Sequence, residues 1–170
     1  MFDRVKLSFC LLILICLTLL PTAPLAAQAS KGDRFSTSPV TKNGEKWRIG
    51  YLESGTYNNY YKSLKATVEG LITLKWMAPA QLPEKFEPDD AKGLWLWLST
   101  HAKSDYIQFV SDAYWNEQFE EEVRAQVRGD VITRLNTGHD IDLLLVMGTK
   151  AGLDMATNDH AVPTVIGSTT

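Results

Sequence analysis

Apolar residues change their spacing along this chain, and the changes mark out alternating strands and helices. Trp47–Leu52 reads as a strand, with Glu53-Ser54-Gly55-Thr56 as its turn. Tyr61, Leu64, Val68, Leu71 and Ile72 then recur at helical spacing, while Lys62, Lys65, Glu69 and Lys75 fall mostly on the other face. This predicts an amphipathic helix over 58–74. Pro79, Pro83 and Pro88 make 78–88 a loop, and Asp89 or Asp90 can cap a short helix through Leu94, Trp95 and Leu98. Tyr106–Val110 is a second strand, and Ser111–Tyr114 reads as its loop. Phe119, Val123, Val127, Val131 and Leu135 predict a long helix over 116–136, with Gly129 as a weak point inside it.

Leu143–Met147 is the organising stretch. It is a continuous apolar run, as expected of a strand buried on both faces. Gly148 permits a sharp turn at its end, and Thr149 is placed to cap a helix over 150–157. Pro163–Gly167 is the last strand. Strands alternating with helices predict an α/β fold: a three-layer parallel sheet with helices on both faces and right-handed crossovers. The carboxyl-end loops would then share one edge, where open α/β sheets place ligands. Those loops are Glu53–Tyr57, Asp112–Trp115, Gly148–Ala151 and Ser168–Thr170.

Composition adds an address. Arg4 and Lys6 precede an apolar run from Leu7 to Leu20, which is shorter than the ~20 residues of a spanning helix. Pro21 and Pro24 break the run, and Ala27-Gln28-Ala29 is a small-x-small cleavage site. Residues 1–29 are thus expected to be a signal peptide cleaved after Ala29, giving a periplasmic protein. Cys10 and Cys16 both lie in that leader, so the exported chain would hold no disulfide. Residues 30–45, rich in Ser, Thr, Lys and Gly, read as a flexible arm, and 46–170 as one domain. The formal net charge is −3 and no basic stripe occurs, which argues against nucleic acid as a partner.

The edge loops offer hydroxyls, backbone donors and aromatic faces, a set suited to a small polar molecule. The plainer reading of any one of them is an ordinary turn residue; the coincidence of four loops on one edge favours a site. Catalytic or metal chemistry has less support. His101, His139 and His160 fall at the amino end or outer side of the sheet, with no Cys or His at ligand spacing, and read as exposed loop residues. Asp159-His160 resembles part of a dyad, yet adjacent loop side chains seldom meet. Gly148-Thr149-Lys150 lacks the glycine-rich run of a phosphate loop. Glu117, Glu120, Glu121 and Glu122 read as the solvated face and first turn of a helix. Of the aromatics, Tyr61 fits the buried stripe and Tyr57 is better placed to reach a ligand. Either Trp95 or Trp97 belongs to the core. No cofactor is expected.

Arg48–Gly55, the helix ending Glu69-Gly70-Leu71, and Ile141–Gly152 together resemble the amino-terminal lobe of a bacterial ABC-transporter substrate-binding protein. The subgroup is the tryptophan-binding-like one of the type I periplasmic-binding fold. Pro163–Val165 leading to Ser168-Thr169-Thr170 is similar to a strand that precedes a binding loop there. The resemblance implies a receptor that closes two lobes over a small solute, such as an amino acid, and presents it to a membrane permease. It implies ligand-facing roles for Ser54, Gly55 and Tyr57, for Gly148, Thr149 and Ala151, and for Ser168 and Thr169. Glu53 is expected to face the hinge or bulk water. The chain reads as truncated to one such lobe, with the second lobe absent, so weak binding or none is expected of it alone. Other readings are an exported ligand-sensing domain of a signalling system and, last, an exported α/β hydrolase fragment.

Overall fold

A computed structural model describes residues 36–83 and 91–169. The expected leader and cleavage site, the caps expected at Asp89 or Asp90, and Thr170 lie outside the described residues.

The elements alternate as the apolar spacing predicts. Strand β1 is Trp47–Glu53, helix α1 Asn58–Thr73, helix α2 Ala91–His101 and strand β2 Ile107–Asn116. Helix α3 is Glu121–Thr137, strand β3 Leu143–Met147, helix α4 Thr149–Met155 and strand β4 Thr164–Gly167. The four strands form one sheet in the order β2-β1-β3-β4, parallel throughout. The expected three-layer α/β architecture is present. Pleating divides β1 between two cores. Ile49 and Tyr51 face α1 and α2, where they meet Leu64, Val68, Leu94, Trp95 and Leu98. Leu52 faces α3 and α4, with Val131, Leu135, Ala151 and Met155. Of the two candidate tryptophans, Trp95 is fully buried and Trp97 packs at the margin. Helix α3 continues through Gly129 without a break.

Strand β2 departs from the expectation. The segment Asp112–Trp115, expected as an edge loop, is strand. Ile49 pairs with Phe109 and Tyr51 with Tyr114, so β2 spends five residues where β1 spends two. The three extra residues form a bulge, and they reverse the pleat. Ile107 and Phe109 point into the first core, whereas Ala113 points into the second. The Trp95 indole N–H donates to the bulge carbonyl of Val110 (2.9 Å), satisfying a backbone group that the ladder leaves open. With the strand prolonged to Asn116, α3 starts at Glu121 rather than Asn116.

The amino end of the sheet is closed by charge. Asp142 is 8% exposed and accepts from the Arg48 backbone N–H (2.9 Å), from its guanidinium (2.9 and 3.0 Å), and from Lys42. Lys42 belongs to the stretch expected as a flexible arm. From Thr37 onward that stretch is tied to the fold. The Trp76 indole donates to the Thr37 carbonyl and the Trp47 indole to that of Val40, and a tight turn at Asn43-Gly44 joins Lys42 to Glu45.

Candidate functional site

The strand order places a topological switch between β1 and β3. From β1 the chain crosses through α1 and α2 to one side, and from β2 it crosses back through α3 to the other. A crevice outside the carboxyl ends of the strands is expected where the crossovers diverge. Ser54 and Gly148, both predicted ligand residues, meet there.

Their meeting is tight. The Ser54 backbone N–H extends the ladder to the Met147 carbonyl (3.0 Å), and its hydroxyl accepts the Ala151 N–H (3.0 Å). Ala151 carries one of the donors that a helix start leaves unpaired, so Ser54 caps α4 from a different strand. The helix N-cap is Gly148, not Thr149, which becomes the first helical residue and is exposed. Gly148 has φ +101° and no room for a side chain: a Cβ would lie 2.4 Å from the Tyr60 hydroxyl and 2.6 Å from Ser54 Oγ. Ser54, Gly148 and Ala151 therefore build the floor of the edge. They are buried, and their polar groups serve one another.

The loop Glu117–Glu120 supplies the roof and one wall. It is stitched along the end of β1 by Glu117 N–H to the Glu53 carbonyl (2.9 Å) and Phe119 N–H to the Ser54 carbonyl (2.8 Å). Asn116 turns the chain by accepting the Gln118 N–H on its side-chain oxygen (2.7 Å). Gln118 and Phe119 follow with φ of +55° and +59°. Consecutive left-handed residues that are not glycine cost ~1 kcal/mol or more each, and such strain gathers at functional sites. The turn lays the Phe119 ring on Gly55, where a Cβ would come within 2.2 Å of it. Phe119 thus leaves the helical stripe predicted for it; its ring lies 6.4 Å from that of Tyr60 and is 54% exposed.

Two carboxylates are buried here, Glu53 from β1 and Glu117 from the loop itself. Glu53, expected to face the hinge or bulk water, is 1% exposed. It accepts from the Tyr51 hydroxyl (3.1 Å), the Tyr114 hydroxyl and the Asn116 amide (2.7 Å). Burial and the adjacent Glu53 hold the Tyr51 phenol well above its ordinary pKa. Glu117, expected on a solvated helix face, is also 1% exposed. Neither of its carboxyl oxygens has a hydrogen-bond partner among the described residues. Burial pushes the group up to about 7; the nearby Asp154 charge adds to the rise and Arg124 opposes it. Arg124 is itself held by Asp154 through two 2.7 Å bonds and by Glu121 (2.9 Å).

The remaining predicted residues lie around the rim. Tyr57 precedes α1, is 46% exposed and meets Tyr60 edge to face at 5.3 Å. Ser168 turns the chain after β4 with φ +53°, and Thr169 is exposed. Sequence reading missed Glu53, Tyr60, Asn116, Glu117 and Phe119. The available signal was Ala113-Tyr114-Trp115: strand-forming residues in place of a loop, which would have moved the strand end from Val110 to Trp115, next to its observed end at Asn116.

The histidines lie away from this edge. His101 and His139 are exposed, whereas His160 is half-buried with one ring nitrogen 3.2 Å from the Met155 carbonyl. Asp159 pairs with Arg128 instead of the neighbouring imidazole, and Lys150 with Glu121. A cavity of about 360 Å³ opens at the amino end beside Trp47, Leu135, Ile141 and Val162, but its Lys42 and Asp142 satisfy each other.

Fold and site together define an open, doubly wound parallel α/β domain with aromatic and hydroxyl groups over its β1/β3 switch point. Comparison of the chain with protein-family models, with curated proteins and with solved structures finds no match.

Proposed function

We propose that residues 46–170 form the amino-terminal lobe of a periplasmic solute receptor serving an ABC uptake transporter, and that the β1/β3 edge is one wall of its cleft. The observation that carries this reading is the division of labour at the switch point. Ser54, Gly148 and Ala151 make a rigid floor, while Tyr57, Phe119, Thr149 and Thr169 stand exposed above it. Rigid floors with a few exposed rings and hydroxyls bind and orient small molecules. The aromatic faces favour an amino acid or a similar small polar solute with an apolar portion. A permease is the partner this role requires.

One lobe contributes only part of the contacts that bury a solute, so its own affinity is expected to be weak. NMR titration of the chain with single amino acids at millimolar concentration tests the proposal. Resonances of Tyr57, Phe119, Thr149 and Thr169 are expected to move together, and Tyr57→Ala to abolish the movement. Shifts confined to the amino end of the sheet, or none with any solute, would refute it.

A further inference from the structure

Glu117 is a buried carboxyl with no described group at full hydrogen-bond distance from its oxygens, the Ser54 hydroxyl being a weak donor beside it, in a loop whose backbone is strained and whose bonds to β1 are few. The groups that face it come from each surrounding element: the Ser54 hydroxyl from the end of β1, Tyr60 from α1, Arg124 from α3 and Asp154 from α4. Arg124 is the only cation of the set, and Asp154 and Glu121 already engage it. Among the described residues no group of His, Cys, Asp or Glu gathers that could hold a metal ion. The charge on Glu117 is therefore only partly offset, by Arg124 and the Ser54 hydroxyl, and it lies next to a second carboxylate. A neutral, protonated carboxyl removes that repulsion, because burial without a partner penalises only the ionised form heavily.

We propose that Glu117 is a proton-operated latch: neutral, it is accommodated beside Asp154 and the Glu117–Glu120 loop lies shut across the end of β1; ionised, it draws the loop away and uncovers that strand end. The proton goes to solvent. The shut loop is held by the two backbone bonds to Glu53 and Ser54 and by the Phe119 ring on Gly55. The left-handed backbone at Gln118 and Phe119 favours release once the carboxylate forms. Opening would free the Ser54 and Glu53 carbonyls and lift the aromatic roof, changing the same wall that is proposed to meet a solute. The latch does not depend on which solute binds, or on whether one does.

Amide exchange at Phe119 in the full chain reads the latch directly, with rates corrected for intrinsic base catalysis. The closed carboxyl titrates near 7 and the released one near 4.5. The opening equilibrium should therefore rise about tenfold per pH unit between pH 5 and 6.5 and level off above 7. Glu117→Gln should stay protected across the whole range, because a neutral amide has the same shape and cannot ionise. Gly55→Ala, which denies Phe119 its seat, should exchange fast at every pH. A wild-type rate flat with pH, the same slope in Glu117→Gln, or retained protection in Gly55→Ala would overturn the proposal. Should Glu117→Gln fail to fold, carbon-13 titration of the wild-type Glu117 carboxyl decides: a midpoint between 4.5 and about 7 that the Phe119 amide shares supports the latch, and one at or below 4.5, or one the Phe119 amide does not follow, overturns it.

Discussion

Asp142 and Glu117 are both buried carboxylates, one at the amino end of the sheet and one at its carboxyl end. Asp142 receives a backbone N–H, a guanidinium and an ammonium, and Glu117 receives no hydrogen bond from the described residues. Burial works against the charge on both. At Asp142 the bonds from Arg48 and Lys42 prevail and hold the carboxyl well below the usual carboxylate range, while at Glu117 burial prevails. The difference lies in the donors available. Arg48 stands at the start of β1 and reaches across to β3, so the amino end is locked by its own strands. The carboxyl end depends on a loop with unfavourable backbone angles. One end of the sheet is locked by ion pairs and hydrogen bonds; the other, the wall proposed to meet a solute, rests on a strained loop.

This contrast can be broken from either side. Asp142→Ala should have the largest effect, about 3 kcal/mol in urea unfolding, because it strands a partly buried guanidinium and an amide. Gly148→Ala comes next, at about 2–3 kcal/mol, since it combines a left-handed φ with a collision against Tyr60 and Ser54. The pH profile of wild-type stability should show both carboxyls with opposite signs. Asp142 is depressed, so its contribution is present above its unfolded value of 3.8 and lost as pH falls further. Glu117 is raised, so stability is highest below 4.5 and declines as pH climbs to about 7, by at most about 3 kcal/mol. Maximal stability is thus expected near pH 4–5, and Glu117→Gln should flatten the neutral side in thermal melts at stepped pH. Ser54→Ala should cost about 1 kcal/mol, the loss of the Ala151 cap. Tyr57→Ala should change stability by less than about 0.5 kcal/mol, as an exposed substitution, while removing the solute response.

The fold was legible because its signals are local and periodic. The uninterrupted run Leu143–Met147 announced a strand covered on both faces, and the helical spacing of Tyr61, Leu64 and Val68 announced the face that meets it. The floor of the site was legible through Ser54 and Gly148, which sit in strand-end turns. Its roof was not. A bulge adds residues without a change in composition, so β2 appeared to stop at Val110, and every assignment after it slid toward the helix. Glu117 and Phe119 fell by that error into a helix that begins at Glu121. The burial of Glu117 and the placing of Phe119 depend on the end of β1, more than sixty residues earlier in the chain, and local periodicity carries no trace of such a contact.

The bulge in β2 has a further effect at the rim of the sheet. β2 is an outermost strand, with one side paired to β1. A regular strand of ten residues there would offer an unbroken row of amides and carbonyls to another molecule. The kink at Val110–Ala113 breaks that row, and the Trp95 indole takes up one of the freed carbonyls. The device that turns Ala113 toward the second core thereby also guards this rim against intermolecular strand pairing.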